Sequence, residues 1–129
     1  MKKILVVDDE EHIRLLLREE LEDEGYAVIT AGDGEEALRL VREEKPDLVT
    51  LDIKMPGESG LMILRKIRET DYDLPVILCT AYSSYKTYFS TVAADHYVVK
   101  SSDFTELKEK IRVIFEQQED QDSGASDRS

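Results

Sequence analysis

Cysteine is almost missing from this chain: Cys79 stands alone among 129 residues. A single thiol excludes an intramolecular disulfide and any cysteine-built zinc site. Its place in the apolar run Val76-Ile77-Leu78-Cys79 reads as a small buried hydrophobe in a reducing environment. Long apolar stretches are lacking too. After Met1-Lys2-Lys3, only Ile4-Leu5-Val6-Val7 precede Asp8 and Asp9, too short a run for a signal peptide or a membrane span. A soluble, cytoplasmic chain without membrane contact is therefore expected. Basic charge is scarce, with 17 Lys and Arg against 29 Asp and Glu and a net charge of −12. That balance disfavours direct binding to nucleic acid or anionic lipid and favours protein partners and small cations.

What is present suits one domain with a hydrophobic core that needs no staple. Short β-rich runs at Ile4–Val7, Tyr26–Ala31, Leu48–Leu51, Val76–Cys79 and His96–Val99 alternate with segments of helical period. The helical stripes are Ile13, Leu16, Leu17 and Leu21; then Ala37, Leu38 and Val41; then Leu61, Leu64 and Ile67. Tyr85, Tyr88, Phe89 and Val92 make a fourth, and Phe104, Leu107, Ile111 and Ile114 make the fifth and cleanest. Gly25 is expected to close the first helix, Asp33-Gly34 and Pro46-Asp47 to bracket the second, and Asp103 to cap the last with Glu106 in a capping box. Five strands alternating with five helices predict an α/β, doubly wound (βα)5 sandwich around a five-stranded parallel sheet. A barrel would need eight such units. From Glu116 to Ser129 the chain has five acids, one base and nothing large and apolar. Residues 1–117 are thus read as the folded domain and 118–129 as a disordered acidic tail, either a true C-terminus or the start of a linker.

Polar residues fall at telling places: Asp8 and Asp9 after the first strand, Asp52 after the third, Thr80 after the fourth and Lys100 after the fifth. In an open parallel sheet these carboxyl ends form one rim, where ligands bind. Three carboxylates brought together repel one another, which demands protonation or a cation. Hard oxygen donors without His or Cys point to Mg²⁺. A carboxylate, a divalent metal, an ammonium and a hydroxyl together suit in-line attack on a phosphoryl group. Singly, each residue has a plainer reading: Asp9 as the N-cap of the first helix, Asp52 as part of a turn with Met55-Pro56-Gly57, Thr80 as a strand-end hydroxyl, Lys100 as a solvated charge. Their shared order and apolar lead-ins favour the site.

Four motifs then carry a family resemblance over residues 3–115: Ile4-Leu5-Val6-Val7-Asp8-Asp9-Glu10, Leu51-Asp52-Ile53-Lys54-Met55-Pro56-Gly57, Thr80-Ala81 and Asp95-His96-Tyr97-Val98-Val99-Lys100. The ordered set closely resembles the receiver domain of two-component response regulators. The resemblance implies a flavodoxin-like sheet of strand order 2-1-3-4-5 and a regulatory rather than enzymatic role. Asp52 would accept a phosphoryl group from a sensor histidine kinase or histidine phosphotransfer protein. Mg²⁺, for which Mn²⁺ is expected to substitute, would be held by Asp9, Asp52 and the Lys54 carbonyl, with Asp8 acting through a water. Lys100 would pair with a phosphoryl oxygen, small Ala81 would leave room for it, and Thr80 and Tyr97 would move together on phosphorylation. That motion would repack the fourth predicted helix, the fifth strand and the fifth helix, the face offered to an unidentified downstream protein or to a homodimer partner.

Two departures from the family pattern stand out. Ser101 replaces the proline usual after Lys100, so the 100–101 peptide is expected to be trans, a non-proline cis bond costing roughly 3 kcal/mol. Ala93-Ala94 replaces the glycine usual at the end of the fourth helix. Three rival functions fit the residues less well. A phosphohydrolase would place a second Asp where Lys54 stands. A nucleotide-binding module would need a Gly-rich turn where Asp8-Asp9-Glu10 stands. A bare scaffold would not need the complete pocket. His12, on the first helix beside the acidic pocket, is expected to be solvated rather than part of a kinase-docking face, His96 has no carboxylate or Cys partner at metal-ligand spacing, and neither is assigned a catalytic role.

Lys54 and Tyr82, each two residues past a pocket residue, are expected to flank the path of hydrolytic water unless both side chains simply face solvent. Obstruction predicts slow self-dephosphorylation, and a phospho-Asp lifetime of only seconds in a decay assay would refute it. Five of the nine aromatics lie between Tyr82 and Tyr97, and Tyr82 and Tyr88 are expected nearer the surface than the core. If they mark a partner site, Tyr88→Ala weakens partner binding; unchanged affinity would remove that role.

Overall fold

The computed structural model describes residues 1–53, 59–70, 73–80, 96–99 and 104–128, and for residues 80, 96–99 and 119–128 the backbone path alone. The elements are β1 (Lys3–Val7), α1 (Glu11–Asp23), β2 (Ala27–Ala31), α2 (Gly34–Glu44), β3 (Leu48–Asp52), α3 (Gly60–Thr70), β4 (Val76–Thr80), β5 (His96–Val99) and α4 (Thr105–Arg128). All strand pairs are parallel, in the order β2-β1-β3-β4-β5. The flavodoxin-like sheet expected from the sequence is thus the one observed, each strand within a residue or so of its apolar run. The fourth predicted helix lies outside the described residues, so α4 is the fifth helix of the sequence pattern.

The strands are apolar in succession because both faces of the sheet are covered. Alternation divides their side chains between two cores. Ile4, Val6, Leu48, Ile77 and Cys79 pack with Leu17 and Leu21 of α1 and with Phe104, Leu107, Ile111, Ile114 and Phe115 at α4. Leu5, Val7, Val49, Leu51, Val76 and Leu78 pack with Ala37 and Val41 of α2 and Ile63, Leu64 and Ile67 of α3. Cys79 is buried, as its apolar setting predicts.

Helix ends follow local chemistry. Gly25, at φ +94°, closes α1 through hydrogen bonds from its own N–H to the Glu22 carbonyl (3.0 Å) and from Tyr26 N–H to the Leu21 carbonyl (3.2 Å), a Schellman arrangement. Asp33 caps α2 by accepting from Glu36 N–H at 2.8 Å, and Lys45, at φ 47°, ends it before Pro46.

One expectation needs correction. Leu16 is 41 % exposed and its neighbour Leu15 56 %, because the face of α1 turned to the sheet follows Ile13, Leu17 and Leu21 at fourfold spacing. A residue one step away is rotated by about 100° and leaves that line. The last helix begins at Thr105, and Asp103, expected to cap it, lies outside the described residues; Phe104, at φ 56°, precedes the helix and its carbonyl accepts from Lys108 N–H at 3.0 Å. The backbone of this helix runs from Thr105 through Arg128. The apolar stripe ends at Phe115, and beyond it Glu and Gln, good helix formers, extend a helix already nucleated by packing.

Lys108 ties α4 to α1, with its ammonium hydrogen-bonded to Glu20 and 3.8 Å from Glu24. The Glu20 hydrogen bond holds the Lys108 pKa above the ordinary lysine value. Beside it Tyr26 stacks at a tilt on Phe115, ring centres 5.5 Å apart, and burial raises its phenol pKa.

A methyl group at Gly25 would meet nothing within 4 Å, so only its left-handed backbone requires glycine. Gly25→Ala should therefore lower unfolding free energy by about 1 kcal/mol in urea titration without changing any contact; an unchanged midpoint would show that the turn tolerates a side chain.

Candidate functional site: an acidic rim at the carboxyl ends of the strands

Pairing of Val7 with Leu51 carries Asp8 and Asp52, each next along its strand, to adjacent positions. Neighbouring strands are about 4.8 Å apart, so these two backbones meet at that spacing. Both aspartates are nonetheless buried, Asp8 at 2 % exposure and Asp52 at 6 %. Alternation sends both side chains to the α1 and α4 face, where they line one cavity with Thr50, Cys79, Ile13, Leu17, Phe104 and Leu107. Thr50, two residues before Asp52 on the same face, adds a hydroxyl that is 2 % exposed. No buried side-chain nitrogen or oxygen among the described residues lacks a hydrogen-bond partner.

Asp9 and Glu10 sit at the solvent edge of the same rim. One carboxylate oxygen from each of Asp8, Asp9 and Glu10 lies within 4.8 Å of the others. The turn that assembles them is local: Asp8 Oδ1 accepts from Glu10 N–H at 3.0 Å, and Glu10 precedes α1 in an extended conformation without a side-chain cap. The capping role considered for Asp9 is therefore not observed, and its carboxylate stays with the acidic group. Three hard oxygen donors, with no imidazole in the cluster, fit Mg²⁺ in donor chemistry. His12 is exposed, 3.4 Å from Glu10, and adds no ligand to the cluster.

Two contacts brace this rim from behind. Arg14 of α1 reaches back so that its Nη1 donates to the Asp8 carbonyl at 2.7 Å. The guanidinium also covers Gly32, whose N–H donates to Glu36 Oε1 at 2.9 Å. On the other side Gly60, the first residue of α3, donates its N–H to the Ile53 carbonyl at 2.8 Å, and Ile53 N–H bonds the Cys79 carbonyl at 3.3 Å.

The structure thus brings Asp8, Asp9 and Asp52 to one rim. Thr80 ends β4, paired with Val99, and Tyr97 in β5 pairs with Leu78, both placed by backbone alone. Lys54, Ala81, Tyr82, Tyr88, Lys100 and Ser101 lie outside the described residues. Sequence reasoning missed Arg14, Thr50 and Gly60 as parts of the site and Glu10 as a member of the cluster. Only Glu10 carried a signal, its place directly after Asp8-Asp9.

A doubly wound parallel sheet with buried acids after its first and third strands defines a class of α/β proteins that bind charged ligands at the strand ends. The chain belongs to the response regulator receiver domain family, whose pattern matches residues 4–112. It is 40% identical over 120 residues to the alkaline phosphatase synthesis transcriptional regulatory protein PhoP of Bacillus subtilis, a match covering 92% of this chain and 50% of that protein. The chain spans about half the length of the curated relatives it matches. The response regulator protein TrrA of Thermotoga maritima, solved in complex with Mg²⁺-BeF, is 56% identical with a TM-score of 0.82, covering 87% of this chain and 97% of that one. TrrA has also been solved with the histidine kinase ThkA, at a TM-score of 0.80, 56% identity and the same coverage.

Proposed function

We propose that this chain is a Mg²⁺-dependent phosphorylation switch whose acceptor is Asp52. The observation that carries the reading is the pair of buried carboxylates, Asp8 and Asp52, held side by side at the ends of β1 and β3. An Asp52 carboxylate oxygen attacks the phosphorus of a phosphohistidine on a partner kinase or phosphotransfer protein. The new O–P bond forms as the P–N bond breaks, the imidazole leaves with the electron pair and takes up a proton, and Asp52 becomes an acyl phosphate. Asp9, Asp52 and the Lys54 carbonyl would hold the metal, with Asp8 acting through a water. When bound, Mg²⁺ supplies charge neutralisation at the phosphoryl oxygens. TrrA's complexes with Mg²⁺-BeF and with a histidine kinase support both the cation and the class of donor.

Lys100 is assigned to a phosphoryl oxygen and Thr80 to a hydroxyl contact that draws Tyr97 inward. Small Ala81 leaves space, and Lys54 and Tyr82 set the lifetime of the acyl phosphate. Residues 1–117 would be the switch, working through protein contacts, including self-association, on the face formed by the segment before β5, β5 itself and α4. The chain's strong negative charge fits protein rather than nucleic acid as the direct partner. Regulators such as PhoP suggest that a longer protein of this kind would act on transcription.

Acetyl phosphate with Mg²⁺ should add the mass of one phosphoryl group to the wild type and none to Asp52→Asn. Equal modification of that variant would move the acceptor elsewhere. Sustained turnover of a phosphate monoester would replace the switch with a hydrolase.

A further inference from the structure

Gly60 opens α3, and nothing in its own backbone requires glycine: Gly25 is the only glycine with positive φ among the described residues. Alanine is the better helix former by about 1 kcal/mol. Space, not conformation, decides this position. A Cβ built on Gly60 would lie 2.1 Å from the Asp52 carbonyl oxygen, 2.9 Å from the Asp52 carbonyl carbon and 2.8 Å from Ile53 Cα. All three are backbone atoms, so no side chain can swing aside. The helix cannot simply retreat either, because Ile63 and Ile67 are fully buried one and two turns on. Its first turn is further fixed by Ser59, whose carbonyl accepts from Met62 and Ile63 and whose Oγ accepts from Leu61 N–H at 3.1 Å.

We propose that Gly60 is a positioning residue for the acceptor: its missing side chain lets α3 seat directly on the Asp52–Ile53 peptide and so fixes where the Asp52 carboxylate stands. The carboxylate hangs from the same Cα as the carbonyl that Gly60 touches. Displacing that peptide by the missing ångström moves the nucleophile and a metal-ligating oxygen together, and misplacement of this size is worth about 100-fold in rate. The inference rests on Asp52 being the acceptor.

The test compares wild type, Gly60→Ala and Gly25→Ala in the full chain. Circular dichroism checks folding, calorimetry gives Mg²⁺ affinity, and mass spectrometry gives the rate of acetyl phosphate modification. Gly60→Ala should bind Mg²⁺ about tenfold more weakly and be modified about 100-fold more slowly. Gly25→Ala, destabilised but remote from the rim, should match wild type in both. Wild-type Mg²⁺ affinity and rate in folded Gly60→Ala overturn the proposal. If Gly60→Ala does not fold, Ser59→Ala loosens the same helix start without adding a clash and should weaken both readouts several-fold; unchanged values there overturn it equally. A wild type that is never modified refutes the acceptor role instead, while its Mg²⁺ affinity still tests Gly60.

Discussion

The structure depends on keeping two carboxylates buried side by side. Parallel pairing of β1 with β3 leaves Asp8 and Asp52 no other relation, since the register that matches Val7 with Leu51 sets both at the same level. Taking a charge out of water costs several kcal/mol unless it is paired or hydrogen-bonded. The central strands bear that cost through the apolar residues behind the acids, Ile4 to Val7 with Leu48, Val49 and Leu51, nearly all of them fully enclosed. A cation at the rim relieves the repulsion further, and the third and fourth carboxylates, Asp9 and Glu10, stand at the solvent side where it would enter.

Burial alone does not fix direction, and the rim is braced at the main chain as well as through the Asp8 carboxylate, which accepts from Glu10 N–H. Arg14 holds the Asp8 carbonyl, and Gly60 is seated against that of Asp52. Contacts to the carbonyls restrict the backbone that carries the carboxylates. The two braces come from helices on opposite faces of the sheet, α1 and α3, so each acid is steadied from the layer that its strand meets.

The sequence made the layers legible because period and burial agree there. Uninterrupted apolar runs marked the strands, and the stripe from Phe104 to Ile114 marked α4, every member of it buried. Leu16 was misread because three neighbouring leucines on one helix cannot be ranked by period alone. At the site, Asp8, Asp9 and Asp52 were legible because strand ends are. Arg14, Thr50 and Gly60 were not: each is near its aspartate in sequence, but its role arises from how a helix start or strand face folds back on the strand end, which composition does not show. Gly60 in particular looks like an ordinary turn glycine until the Asp52 peptide is seen against it.

Strand alternation also decides which half of the protein feels a change at Asp52. Its side chain shares a cavity with Ile13 and Leu17 of α1 and with Phe104 and Leu107 at the start of α4, whereas α2 and α3 pack on the other face. Phe104 is buried there in a conformation that costs an L-residue about 1 to 2 kcal/mol. A charge added at Asp52 would therefore meet the packed groups of α1 and the start of α4 through the side chain, and α3 through the peptide on which Gly60 sits. Coupling of this kind needs an element with two arrangements close in energy. Beside Asp52, the described segment whose packing opposes its own backbone preference is the entry to α4 at Phe104.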